Sequence, residues 1–443
     1  MSATAAALLQ GFSRLEATRN GHDPAWVKGL RRAAFDWVSA RGFPTVKDDA
    51  WRYTTVRPIL EVPFRSAEPG MGRGLSLGAI DELAGAFGGT RLVFVNGYFV
   101  PGLSSHQKLP DGARVTNLAS ALVGAGGALQ PLFSRPFRDQ THAFTALNAA
   151  CGVDGAFVQI PTNTEINEPI HLVFVSDAGA EPLVSHPRTV VFAGAGSRAT
   201  IIETYAGVPG GVSFTNAVTE VVLDEGSTLE HYKVQNEQQT AFHVGLLDVR
   251  QARSSRCTAH SVALGSSIAR HEVNVKLEGA GAQTTLNGLY LPQNEQHLDN
   301  PTTIEHAAPR CTSSQLYKGV VDGKGHGVFD GRVVVAAGAD KTDASQTNKN
   351  LLLSASAQVD TRPRLEIFAD DVKCAHGAAV GQLDEEAVFY LRSRGIALNA
   401  ARGLLTYAFV SQMLELVRVA PLRSWLEKQI SARLSAAGVG VAR

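Results

Sequence analysis

The sequence predicts a mainly β protein, a body of short strands coiled as a β-helix between α-helical regions at its two ends. Three observations point there. Between residues 160 and 380, apolar or alternating runs of four to eight residues follow one another, with almost no helical period. Similar Gly-containing turns recur ahead of these runs, and helical periodicity is confined to the ends of the 443-residue chain.

Residues 1–90 read as an N-terminal helical region and linker. In "PAWVKGLRRAAFDWVSARG", Trp26, Val27, Leu30, Ala34, Trp37 and Val38 recur at helical spacing, Lys and Arg take the other side, and Gly42 stands where a helix would stop. "FPTVKDDAWRYT" follows as a polar and aromatic connection, and a Pro- and Gly-bearing stretch runs on to about residue 90.

Residues 91–382 form the β core. From "RLVFVNGYFVPGLSS" onward, "PIHLVFVS", "RTVVFAG", "ATIIETY", "AVTEVVL", "TLEHYKV", "TTLNGLYL", "RVVVAAG" and "RLEIFAD" are each closed by Gly, Asn, Asp or Pro and read as strands. "GAGSRATI", "DEGSTLEH" and "EGAGAQTTL" place Gly and small or polar residues before a strand. This loose self-similarity suggests a coil repeated along an axis, with inward side chains stacked in ladders. Gly196, Gly226 and Gly281 are unequally spaced. The period is therefore inexact, and a β-sandwich or jelly roll would use the same strands and turns.

Residues 383–443 form a C-terminal helical domain. Asp384 is a fitting N-cap for "LDEEAVFYLRSRG", which ends in Arg394 and Gly395. In the next helix Leu404, Leu405, Ala408, Phe409, Gln412, Met413 and Leu416 spread along a broad face. A third helix begins near Pro421.

Composition narrows the function. Lys plus Arg and Asp plus Glu number 41 each, so no global field draws the chain to nucleic acid or an anionic membrane. No run approaches the roughly twenty apolar residues of a membrane span, and the N-terminus lacks a basic leader. The four cysteines, at 151, 257, 311 and 374, form no CxxC pair. Together these fit a protein of the reducing cytoplasm.

Several signatures are absent. "DGKGHG" lacks P-loop spacing and reads as a turn, "GAGSRA" leads into a strand where a dinucleotide fingerprint needs a helix, and there is no HExxH. His297, Asp299, Glu305, His306 and Cys311 crowd one stretch of fifteen residues, but at no known zinc spacing. Solvated or ladder-forming roles are the expectation there. Asp370 and Asp371 are adjacent and read as turn residues.

"KCAHGA" is different. In a strand, Cys374 and His376 two positions apart share a face. Three readings stay open at this point: two residues sharing a patch of core, a pair of soft-metal ligands, or a nucleophilic dyad. A cluster normally takes four ligands, so ligation calls for donors from elsewhere.

Two long stretches, "LNGLYLPQNEQHLDNPTTIEHAAPRCTSSQLYKGVVDGKGHGVFDGRVVV" and "QTNKNLLLSASAQVDTRPRLEIFADDVKCAHGAAVGQLDEEAVFYLRSRGI", closely resemble the SufB/SufD family of iron-sulfur cluster assembly proteins. The resemblance runs through about residues 140 to 420. "DDAWRYT", the modest length and "KCAHGA" are similar to the SufD branch. The resemblance implies a right-handed parallel β-helix and a non-catalytic scaffold role. It implies pairing with SufB, and docking of the SufC ATPase on the C-terminal helices, where Leu404, Leu405 and Phe409 are candidate contacts or internal packing. His376, with Cys374 beside it, would contribute to iron or a transient iron-sulfur cluster shared with SufB, with a reduced flavin as a further candidate in the complex. A homodimer of the isolated chain is compatible with the β body's strand edges. A carbohydrate-acting or carbohydrate-binding β-helix is the alternative, disfavoured by an aromatic content of 7% and the missing export signal.

Overall fold

The computed structural model describes residues 8, 11–13, 15–16, 23–70, 74–125, 129 and 142–436. Helix α1 (Ala25–Arg41) buries Val27, Ala34 and Val38 and ends at Gly42, whose N–H bonds to the Val38 carbonyl. After α2 (Arg57–Glu61), β1 (Arg65–Ser66) and α3 (Leu77–Ala84) comes a hairpin of β2 (Thr90–Val95) and β3 (Tyr98–Phe99). Asn96 and Gly97 both have positive φ at its turn, the backbone that suits the right-handed twist of paired strands. β4 (Arg114–Asn117), α4 (Leu118–Ala125) and α5 (Ala143–Cys151) complete the approach to the β body.

The body runs without a helix from β5 to β21. Its strands are β5 (Ala156–Ile160), β6 (Ile170–Ser176), β7 (Leu183–Ser185), β8 (Arg188–Ala193), β9 (Arg198–Gly207), β10 (Ser213–Leu223), β11 (Thr228–Asn236), β12 (Phe242–Gln251) and β13 (Arg256–Ala263). They continue as β14 (Ile268–Leu277), β15 (Gln283–Tyr290), β16 (His297–His306), β17 (Thr312–Val321), β18 (His326–Val335), β19 (Asp343–Leu352), β20 (Gln358–Ile367) and β21 (Lys373–Gly381). From β8 onward, even-numbered strands pair in parallel in one sheet and odd-numbered strands in the other. From β8 onward each coil advances the chain by 26 to 32 residues, since Phe242 pairs with Ile268 and His326 with Gln358. The result is a parallel β-solenoid of about eight turns, not an antiparallel sandwich or jelly roll.

The recurring turn is one ladder. Gly196, Gly226, Ser254, Gly281, Arg310 and Lys341 all have positive φ at equivalent corners. Each donates its backbone N–H to the neighbouring coil's corner, from Gly196 to Glu225 O through Lys341 to Asp371 O. Three of the six positions are not glycine, which is why glycines alone gave no period. The residue after each corner points inward and is small and buried: Ser197, Ser227, Ser255, Ala282, Cys311 and Thr342.

Alternation then sorts the side chains. Inward residues such as Leu229, Leu247, Val273, Leu286 and Phe329 join one core along the axis. Outward residues of the even sheet, including Phe214 and Phe242, meet Phe64, Phe144 and Trp51 of the N-terminal segments. Those of the odd sheet, including Tyr232, Val234 and Leu289, meet α7 (Leu398–Glu415) and α8 (Ala420–Ala436) through Val410, Met413, Leu422 and Leu426. Before them, α6 (Glu385–Ser393) starts as its sequence indicates, Asp384 accepting from the N–H groups of Glu386 and Ala387.

Candidate functional site

The solenoid ends on an open coil. β20 pairs with β18 and β21 with β19, and among the described residues no further strand covers either outer edge. On β19 Ala344, Gln346, Asn348 and Asn350 alternate as buried inward residues, while Leu351 is buried outward against the C-terminal helices, so the register partners of the inward set on β21, Cys374, His376, Ala378 and Val380, share the inward face. Cys374 is half-buried and packs on the end of the axial core with Leu365, Ala369 and Val372. His376 is exposed. Around this mouth Ile367, Phe368 and Val380 also remain exposed.

Burial and the nearby Asp343 carboxylate push the Cys374 thiol above its ordinary pKa, against a smaller opposing pull from the Ala344 backbone. In the chain alone it is therefore a poor thiolate. Among the described residues no hydrogen bond joins Cys374 to His376, and no group orients the imidazole as a nucleophilic dyad requires. No three His, Cys, Asp or Glu side chains of the described residues are grouped to hold a metal ion. One thiol and one imidazole on a common face are soft donors that fit iron or a cluster but leave its remaining positions to other donors.

The other thiols have structural settings. Burial pushes Cys151 and Cys257 up to about 12. Cys311 is a corner-ladder residue bonded to the Gly279 carbonyl. The polar cluster around it disperses likewise: Glu305 pairs with Lys276, His306 bonds Ser313, and Asp299 pairs with Arg270. Asp370 and Asp371 lie in the bend before β21, where Asp371 pairs with Lys341. On α7, Leu404 and Leu405 are half-buried. Phe409 lies under the Lys318 ammonium, 4.4 Å from the ring centroid, and its carbonyl accepts from that ammonium at 2.8 Å.

Two polar assemblies go beyond the sequence reading, which places His297 and Asp299 only in a polar cluster and "DDAWRYT" only in a connection similar to the SufD branch. Inside the solenoid, Lys233 Nζ lies 3.0 Å from His243 Nε2 and 3.1 Å from His271 Nδ1, and His243 Nδ1 lies 2.8 Å from Glu237. Burial brings Lys233 down to about 8. Strand alternation carried the signal, since Lys233 is in phase with inward Leu229. Outside, "DDAWRYT" clasps the even sheet: Asp49 accepts from Arg362, Trp51 lies over the Arg270 guanidinium at 4.0 Å, and Thr54 reaches His297 and Asp299.

Fold and site together define a solenoid scaffold whose last coil is left open with a thiol and an imidazole at its mouth. The chain belongs to the SufB/SufD family of the SUF system for iron-sulfur cluster assembly. The SufBD core domain model matches residues 174–409 and the SufBD N-terminal region model matches residues 2–172. The iron-sulfur cluster assembly protein SufD of Escherichia coli is 33% identical, with 89% of this chain and 90% of that protein covered. A SufBD family protein of Synechocystis is 31% identical over 94% and 93% of the two chains, and the SufD of Bacillus subtilis is 25% identical over 93% and 95%. The family supports a role in iron-sulfur cluster assembly in place of the carbohydrate reading. No helix of the described residues is long and apolar enough to cross a membrane.

Proposed function

We propose that this chain is a non-catalytic scaffold subunit that pairs with SufB through its open coil and docks the SufC ATPase on its C-terminal helices. The observation that carries the pairing is the open coil itself. Two strand edges unpaired among the described residues and a half-covered core, bordered by exposed Ile367, Phe368 and Val380, favour continuation by another chain's coil. The same surface would serve an isologous homodimer of the chain in isolation.

In this reading the nascent cluster is cargo assembled at the pairing surface. His376 is a ligand there, Cys374 a neighbouring donor, and SufB supplies the rest. Pairing would also change Cys374, because a cation brought beside it favours the thiolate that Asp343 and burial now disfavour. Exposed Phe389, Tyr390 and Leu398, with Leu404, Leu405 and Phe409 nearby on α7, make the helical end the candidate SufC contact. The sequence has no P-loop, so ATP hydrolysis falls to that partner. A reduced flavin would belong to the complex as electron donor.

The test is anaerobic reconstitution of the complex with SufB and SufC, comparing wild type with His376→Ala. The expected result is an intact complex in which iron and acid-labile sulfide fall at least tenfold. Undiminished cluster formation would remove His376 as a ligand, and a chain that recruits neither partner would remove the scaffold reading.

A further inference from the structure

The clasp formed by "DDAWRYT" contains a proton problem. Thr54 Oγ1 lies 2.5 Å from Asp299 Oδ2 and 2.8 Å from His297 Nε2. Asp299 is ion-paired with Arg270, so it is an ionised acceptor and takes the single hydroxyl proton of Thr54. His297 Nε2 must then be the N–H that donates to Thr54. On the next coil, His326 Nε2 lies 2.8 Å from Asp360 Oδ2 and must likewise be an N–H. In neutral rings, both Nδ1 atoms would therefore carry bare lone pairs. Yet the two Nδ1 atoms face each other at 3.1 Å, a hydrogen-bonding distance.

We propose that His297 and His326 share one bound proton between their Nδ1 atoms, and that this proton latches the 49–54 segment onto the outer face of the last coils. The positive pair then sits between the carboxylates of Asp299 and Asp360. The other charged or titratable groups around it are Arg270 and Glu272 on β14, Asp330 on β18, Arg362 and Arg364 on β20, Asp49, Arg52 and Tyr53 on the segment, and His142 beside Trp51. Through Thr54 the proton fixes a segment that also grips β20 by the Asp49 to Arg362 contact, so the latch holds one of the two edge strands of the open coil.

A shared proton has a pH signature that an ordinary buried histidine lacks. With the latch closed, the pair holds one proton. With it open, two solvated histidines hold none well above about pH 6.5 and two well below it. Opening therefore releases a proton on the alkaline side and takes one up on the acid side. The opening constant rises up to tenfold per pH unit in either direction, and protection peaks near pH 6.5. His142 adds only to the acid limb, so the alkaline limb belongs to the shared proton.

The experiment is hydrogen exchange of the Trp51 and Thr54 amides in the full chain between pH 5.5 and 8, corrected for intrinsic rate. We expect maximum protection near pH 6.5 in the wild type. His326→Asn places an amide donor at the Nδ1 position without a titrating group and should abolish the alkaline limb. Wild-type protection that climbs to a plateau above pH 6.5, or a maximum that survives His326→Asn, overturns the proposal. So does one equivalent of metal in the purified protein that disappears in that variant.

Discussion

His376 on β21 lies in register with Gln346 on β19, yet Gln346 is 1% exposed while His376 lies open to solvent. The two positions differ only in whether another coil lies above them. His376→Ala should therefore leave the isolated chain's stability within about 0.5 kcal/mol of wild type, whereas Gln346→Ala, which empties a covered position, should cost about 1–3 kcal/mol. Urea unfolding of the two variants checks the contrast. Equal losses would mean that His376 is already packed.

Cys374 is the one thiol of the four that is not buried. Native-state alkylation should modify one cysteine per chain, slowly at neutral pH and faster as pH rises, because burial and Asp343 hold the thiol protonated. Asp343→Asn removes the repelling charge and should speed labelling at pH 7 by roughly two- to threefold. Mass spectrometry of the labelled peptide identifies the site.

Coil stacking predicts which glycines are irreplaceable. A Cβ on Gly279 would lie 2.0 Å from the Arg253 backbone nitrogen and 2.4 Å from the Ala252 carbonyl carbon. Gly279→Ala should destabilise by about 3 kcal/mol or more, because backbone must move. Gly338 has a positive φ but nothing near its Cβ, so Gly338→Ala should cost only about 1 kcal/mol. Chemical denaturation of both variants separates crowding from backbone strain.

Burial holds His171 and His186 down to about 3, and His260 and His306 down to about 4. As pH falls below about 6.5, the unfolded chain binds these protons before the folded one does. Stability is therefore lost from about pH 6.5 towards pH 4, by up to about 1.4 kcal/mol per group and pH unit. Glu220, pushed up to about 7 by burial against the pull of Arg188, works the other way between about pH 4.5 and 7, but it is one group against four. Urea midpoints should fall steadily between pH 7 and 5. Constant midpoints over that range would contradict the buried, neutral state of these rings.

Phe389 and Phe409 lie on neighbouring helices in opposite situations. Phe389 is 72% exposed, while Phe409 is half-buried beneath Lys318. Phe409→Ala should cost the isolated chain about 1–2 kcal/mol. Phe389→Ala should leave its stability unchanged, and the proposed docking of SufC on the helical end predicts binding weakened about tenfold or more. Thermal unfolding and titration with SufC report the two effects separately.

The sequence by itself determined what local chemistry decides. Asp384 caps its helix because a short carboxylate reaches free N–H groups, and Gly42 closes another because no side chain obstructs the turn. Period-two alternation put Cys374 and His376 on one face before any fold was known. Tertiary structure decided what lies above and beside each residue. Ser254, Arg310 and Lys341 take the same corner as the glycines because backbone bonds between coils set that register, and no local preference marks them. Thr54 meets His297 across 243 residues of chain, and such a contact leaves no trace in either local stretch. The openness of the last coil is likewise a property of neighbours: the strand that carries His376 alternates like any other, and its inward face is uncovered because no further strand of the described residues lies above it.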